Sequence, residues 1–139
     1  MLDDGRVLAQ SNAIIQYLAE GSSLLPSDRY QRGQVNEMLF WEQYSHEPYI
    51  AVCRFVMKYL GKPVGQREDW RVARGEAALD YMDRRLGMRR WLAADQFTVA
   101  DISLLAYTRL APEGGFELAA RGNLVEWISR CETELGLEH

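Results

Sequence analysis

Apolar residues recur at helical spacing along almost the whole chain, in blocks separated by glycine and proline. The first block, Ile14, Ile15, Tyr17 and Leu18, opens at Ser11 and closes at Gly21. Serine is a good helix amino-terminal cap, and glycine can take the left-handed conformation that ends a helix. Residues 22–26 read as a linker and the one domain boundary the pattern offers. Helical periodicity then runs from Ser27 or Asp28 to about Leu60. Val35, Met38, Leu39 and the polar Glu42 share a face, and Ile50, Cys53 and Met57 continue it past Pro48. Proline removes a backbone hydrogen bond and collides with the preceding turn, so a kink or break is predicted at Glu47-Pro48.

A further helix is predicted from about Glu68 to Leu86, with Ala73, Ala77, Leu79, Met82 and Leu86 inward and an Asp80–Arg84 pair outside. Another spans Thr98 to about Ala111, followed by a turn at 112–115 and a short helical piece at Leu118–Arg121. The last begins at Asn123, with Leu124, Trp127, Ile128 and Cys131 inward and Glu126 and Arg130 paired outside. Strand signal is confined to the first residues, where Asp3-Asp4-Gly5 between apolar neighbours predicts a hairpin turn. The expected fold class is all-α, an antiparallel helical bundle over residues 27–136.

Phe97-Thr98-Val99-Ala100-Asp101-Ile102 is the most informative local stretch. Thr98 can cap a helix while Asp101 reaches back to the cap's own N–H, and Phe97 and Ile102 occupy the positions of a hydrophobic staple. The predicted capping box is a folding signal and carries no chemistry. Gln10-Ser11 is the one candidate ligand contact, since a hydroxyl and free backbone N–H groups at a helix start suit a carboxylate. On spacing alone an ordinary serine cap is the better account of it.

These segments together resemble the glutathione transferases. Residues 3–20 resemble the last strand and third helix of that family's thioredoxin-like domain, and Leu24-Leu25-Pro26 its interdomain linker. The 97–102 stretch resembles its helix-starting capping box, and Gly114-Gly115-Phe116 followed by Trp127 resembles its bacterial members. The resemblance implies that residues 1–21 are a remnant of a thioredoxin-like domain. It also implies that Gln10 and Ser11 bind the γ-glutamyl carboxylate and amine of glutathione, and that Trp41 and Tyr44 wall a co-substrate pocket. It implies a homodimer and a parent enzyme that transfers glutathione to electrophiles. The family's thiol-activating residue would lie before Met1, so no catalytic residue is assigned and the chain alone is expected to be inactive. The alternative is a non-catalytic helical interaction module, as transferase-like domains serve in translation factors. Residues 1–21 are expected to be disordered or covered by another chain.

Composition narrows the classes further. The 139 residues are 47% hydrophobic and 26% charged, which is globular. A net charge of −4 argues against nucleic acid, and the cluster Arg84, Arg85, Arg89 and Arg90 lacks interleaved aromatics. His46 has no second histidine or cysteine at ligand spacing, so no metal is expected. Cys53 and Cys131 read as reduced packing residues. No long apolar run or leader-like segment is present, which predicts a cytoplasmic protein without a membrane partner. Residues 137–139 look like the stub of a purification tag.

Overall fold

The computed structural model describes residues 1–137, and among them every regular element is a helix. Residues 138 and 139 of the predicted tag stub lie outside that range. Helix α1 (Ser11–Ala19) leads through residues 22–26 to α2 (Arg29–Trp41), α3 (Glu47–Arg54), α4 (Asp69–Leu86), α5 (Val99–Thr108) and α6 (Gly122–Leu135). Short 3-10 turns sit at Val64–Gln66 and Ala111–Gly114. The architecture is all-α. Helix α5 is its centre and packs against α1, α2, α3 and α6, because its own sequence is apolar all round.

Pro48 shapes the long stretch as its chemistry requires. A π turn, Glu42–His46, precedes α3, and the Glu47 N–H returns to the Glu42 carbonyl. The widened turn absorbs the register lost at proline, and His46 stands at the junction with φ −122° and ψ −66°. A second π turn, Phe55–Tyr59, closes α3. Asp28 caps α2 by accepting from the Gln31 N–H at 2.9 Å.

Several local expectations give way to tertiary contacts. The buried face of α4 is Gly75, Ala78, Leu79, Met82 and Leu86, while Ala73 and Ala77 are exposed. The face is rotated because Phe116 lies across Gly75. Asp80 pairs with Arg121 at 2.7 Å rather than with Arg84, since the loop before α6 crosses that surface. Leu118–Arg121 is a turn and not a helix. Ser11 lies within the first turn of α1; Gln10 holds the cap position and no side chain caps it. The opening residues make a tight turn, with Leu2 N–H to Arg6 O at 2.8 Å and Gly5 N–H to Leu2 O at 2.9 Å, but no strand.

Helix α1 is docked on the bundle. Ala19 is buried and Ile15 packs on the core, whereas Ile14, Tyr17 and Leu18 remain exposed. The linker is pinned to the start of α5: the Val99 N–H donates to Leu24 O at 3.0 Å, and the Gln96 amide donates to Ser23 O. Leu25 is buried and Arg32 Nε donates to Pro26 O at 2.8 Å, so α1 is held at a fixed place.

A β-carbon at Gly75 would sit 2.5 Å from Phe116 Cζ. That ring is 1% exposed and has nowhere to move. Gly75→Ala is therefore expected to lose about 1–3 kcal/mol of stability by overpacking, despite alanine's better helix propensity. Urea melts of the two proteins check this, and an unchanged midpoint would mean the ring is not held.

Candidate functional site

Where α1, the end of α2 and α5 meet, a cavity of about 440 Å³ opens to the surface. Ser11, Asn12 and Ile15 come from α1, Glu42, Gln43 and Glu47 from the π turn and α3, and Ile102, Ser103, Ala106 and Tyr107 from α5. One side is polar and the other apolar. Asn12 organises the polar side: its amide donates to Glu42 Oε2 at 3.0 Å and to Leu39 O at 3.2 Å, and its carbonyl accepts from the Ser103 hydroxyl at 2.7 Å. Gln43 also donates to Glu42 Oε2 at 2.7 Å. Burial raises the Glu42 carboxyl above its ordinary pKa, against these two amide donors, and the nearby Glu47 charge adds to the rise.

Gln10 sits immediately above this cavity in a left-handed conformation, φ 73° and ψ 119°, which L side chains rarely adopt. Its carbonyl accepts from the Ala13 and Ile14 N–H groups at 3.0 Å, so the Ser11 and Asn12 N–H groups are left outside the helix ladder. The Ser11 hydroxyl has no hydrogen-bond partner among the described residues. The structure thus presents a hydroxyl and two N–H groups beside a positive helix end, facing a polar wall. Ser11 lines the cavity; Gln10 is exposed beside it.

The other residues singled out in the sequence fall elsewhere. Neither Trp41 nor Tyr44 lines this cavity. Tyr44 projects outward, 80% exposed, and Trp41 packs on Tyr81 with ring centroids 4.7 Å apart. Thr98 accepts from the Ala100 N–H at 3.3 Å, and Asp101 Oδ2 accepts from the Thr98 N–H at 3.1 Å. Asp101 also holds the Leu92 N–H at 3.0 Å and the Trp127 indole N–H at 2.9 Å. It is therefore a hub joining three segments. Burial raises its carboxyl pKa, and these three donors together with the Thr98 hydroxyl at 3.4 Å oppose the rise without cancelling it.

His46 is fully buried, with Nε2 2.8 Å from the Thr108 hydroxyl. That hydroxyl donates to Leu104 O at 2.6 Å, so Nε2 must carry the proton and Nδ1 is left without a partner. Burial pushes the imidazole pKa down to about 3. A neutral, buried histidine of this kind is an architectural strut. Among the described residues no group of three or more His, Cys, Asp or Glu is placed to hold a metal, and no helix is long and apolar enough to cross a membrane.

Comparison with known proteins gives one consistent result. Residues 65–134 match the family model "Glutathione S-transferase, C-terminal domain". The chain is 27% identical over 137 residues to glutathione S-transferase D7 of Anopheles gambiae, covering 96% of this chain and 62% of that protein. A glutathione S-transferase structure from Pseudomonas fluorescens shares 45% identity at a TM-score of 0.89, over 94% of this chain and 66% of that one. A possible glutathione S-transferase from Rhodopseudomonas palustris shares 35% identity at a TM-score of 0.92, over 100% of this chain and 70% of that one. The chain thus spans a little under two-thirds of the curated relative. With residues 65–134 matching that family model and 94–100% of the chain covered by two such structures, this chain belongs to the glutathione S-transferase family.

Proposed function

We propose that the cavity at Ser11 receives the γ-glutamyl end of glutathione, and that the whole protein transfers glutathione to small electrophiles. The observation that carries this is Gln10, a non-glycine residue kept at φ 73° directly before an unengaged serine hydroxyl and free backbone N–H groups. Such strain costs about 1–3 kcal/mol and is retained where a binding site uses it. The γ-glutamyl carboxylate would sit at Ser11 and the helix start, the amine would meet Gln10, and Ile102, Ala106 and Tyr107 would offer apolar surface nearby.

We assign no residue of this chain to thiol activation. Cys53 and Cys131 are buried thiols whose pKa burial raises, and the Ser103 hydroxyl is committed to Asn12. A group that favours thiolate over thiol would come from a thioredoxin-like half. The chain's share of the work is to bind and orient. We further propose a homodimer, supported by Tyr30, Phe40 and Tyr44, which α2 and its π turn leave exposed; sedimentation equilibrium reports its mass.

Two variants test the site. Gln10→Gly is expected to gain about 1 kcal/mol of stability by releasing the strained backbone. Millimolar glutathione is expected to shift the Ser11 and Asn12 amide resonances, and Ser11→Ala to weaken that response about tenfold or more. Shifts elsewhere with Ser11 and Asn12 unmoved would contradict the assignment.

A further inference from the structure

The cavity at Ser11 carries more negative charge than the γ-glutamyl end of glutathione can pair, since that end brings one ammonium together with a carboxylate. Glu42 and Glu47 both line it, and no lysine, arginine or histidine does. Glu47 lies in the first turn of α3, whose positive end suits one carboxylate. Its side chain makes no hydrogen bond or ion pair among the described residues. Glu42 is harder to account for, because it is only 2% exposed. Both of its amide donors, Asn12 and Gln43, reach Oε2, and Oε1 accepts nothing among the described residues. A buried carboxylate with one empty oxygen, beside a second unpaired carboxylate, lacks a counter-ion. The rise in the Glu42 pKa has these same causes, burial first and the Glu47 charge after it.

The facing wall is apolar, with Ile15 from α1 and Ile102, Ala106 and Tyr107 from α5. At about 440 Å³ the cavity is in the range of small-molecule sites. It leaves room for a second molecule beside a γ-glutamyl group at Ser11.

We propose that the acidic side of this cavity selects the second substrate, and that this electrophile is an apolar molecule bearing an ammonium group. Its role as second substrate rests on the glutathione reading of Ser11. The ammonium donates to Glu42 Oε1 and to Glu47 in charge-assisted hydrogen bonds, while the hydrocarbon body lies on Ile102, Ala106 and Tyr107. A neutral molecule of the same shape gains only the apolar half. An anion meets two like charges and is rejected.

The test titrates the full ¹⁵N-labelled chain with an unreactive probe, 4-phenylbutylamine, and with its neutral counterpart 4-phenylbutanol. The amine should give saturable shifts of the Glu47 and Tyr107 amide resonances, and the alcohol should bind about tenfold more weakly or worse. Glu47→Gln changes a half-buried position with no partner to lose. It should weaken the amine about tenfold and leave the alcohol unchanged. Millimolar glutathione should leave the amine's affinity within about twofold, because the two occupy different ends of the cavity. Equal affinity for amine and alcohol, an amine response indifferent to Glu47→Gln, or displacement of the amine by glutathione would each overturn the proposal. Amine binding at Glu47, with Ser11 and Asn12 silent to glutathione, would sink the glutathione reading and keep the cation subsite.

Discussion

Replacing Asp101 with alanine is expected to lower the unfolding free energy by about 3–5 kcal/mol, the cost of stranding several buried donors at once. The side chain is 0% exposed and accepts from Thr98, Leu92 and Trp127. Its removal leaves the Leu92 N–H and the Trp127 indole without a partner in the core. Thr98→Ala removes a single cap contact and should cost about 1 kcal/mol. The double variant should fall short of the sum, because both residues serve one box. Denaturant melts of the singles and the double decide. A loss near 1 kcal/mol for Asp101→Ala would mean that those donors find water or other partners.

The second large effect is a pH dependence set by His46. Its folded pKa of about 3 lies far below the ordinary value near 6.5. Between those values the unfolded chain binds a proton that the folded chain refuses, so stability falls as pH falls. The slope approaches about 1.4 kcal/mol per pH unit below 6.5, or about 2 kcal/mol lost by pH 5. The raised carboxyls of Asp101 and Glu42 act with the opposite sign. Their folded forms take up protons more readily than the unfolded chain, so their contribution grows as pH drops and is lost as pH rises through their folded pKa. The His46 contribution is therefore read as the difference between wild type and His46→Gln, which keeps an amide donor for Thr108 and shares both carboxyls. From pH 7 to 5 the wild type should lose about 2 kcal/mol more than the variant. Equal pH dependence in the two proteins would contradict the buried neutral imidazole.

These two residues show what a sequence can and cannot disclose here. The capping box spans three residues, so its geometry follows from local backbone bonding and can be read directly. The contacts from Asp101 to Trp127 and from His46 to Thr108 cross 26 and 62 residues, and no spacing rule encodes them. Glu42 falls on the apolar template, yet only the position of Asn12, 30 residues away, explains how a carboxylate is tolerated there. The buried face of α4 departs from the apolar periodicity for a related reason. Gly75 carries no apolar signal, and its burial is dictated by the Phe116 ring that arrives from the far end of the chain. Gln10-Ser11 was legible as a pattern, while the left-handed backbone at Gln10 depends on how α1 is fixed to the bundle through Asn12 and the linker.

In the function proposed above, Gln10, Ser11 and the cavity bind and orient glutathione but do not activate its thiol. The most direct measurement compares turnover of glutathione with 1-chloro-2,4-dinitrobenzene by two purified proteins. One is this chain; the other is this chain joined to the part of the Pseudomonas fluorescens relative that lies outside the matched segment. The chain alone should give only the uncatalysed rate. The joined protein should turn over saturably, and Ser11→Ala within it should reduce kcat/KM by about tenfold or more. Saturable turnover by the chain alone, or a joined protein indifferent to Ser11, would contradict the account.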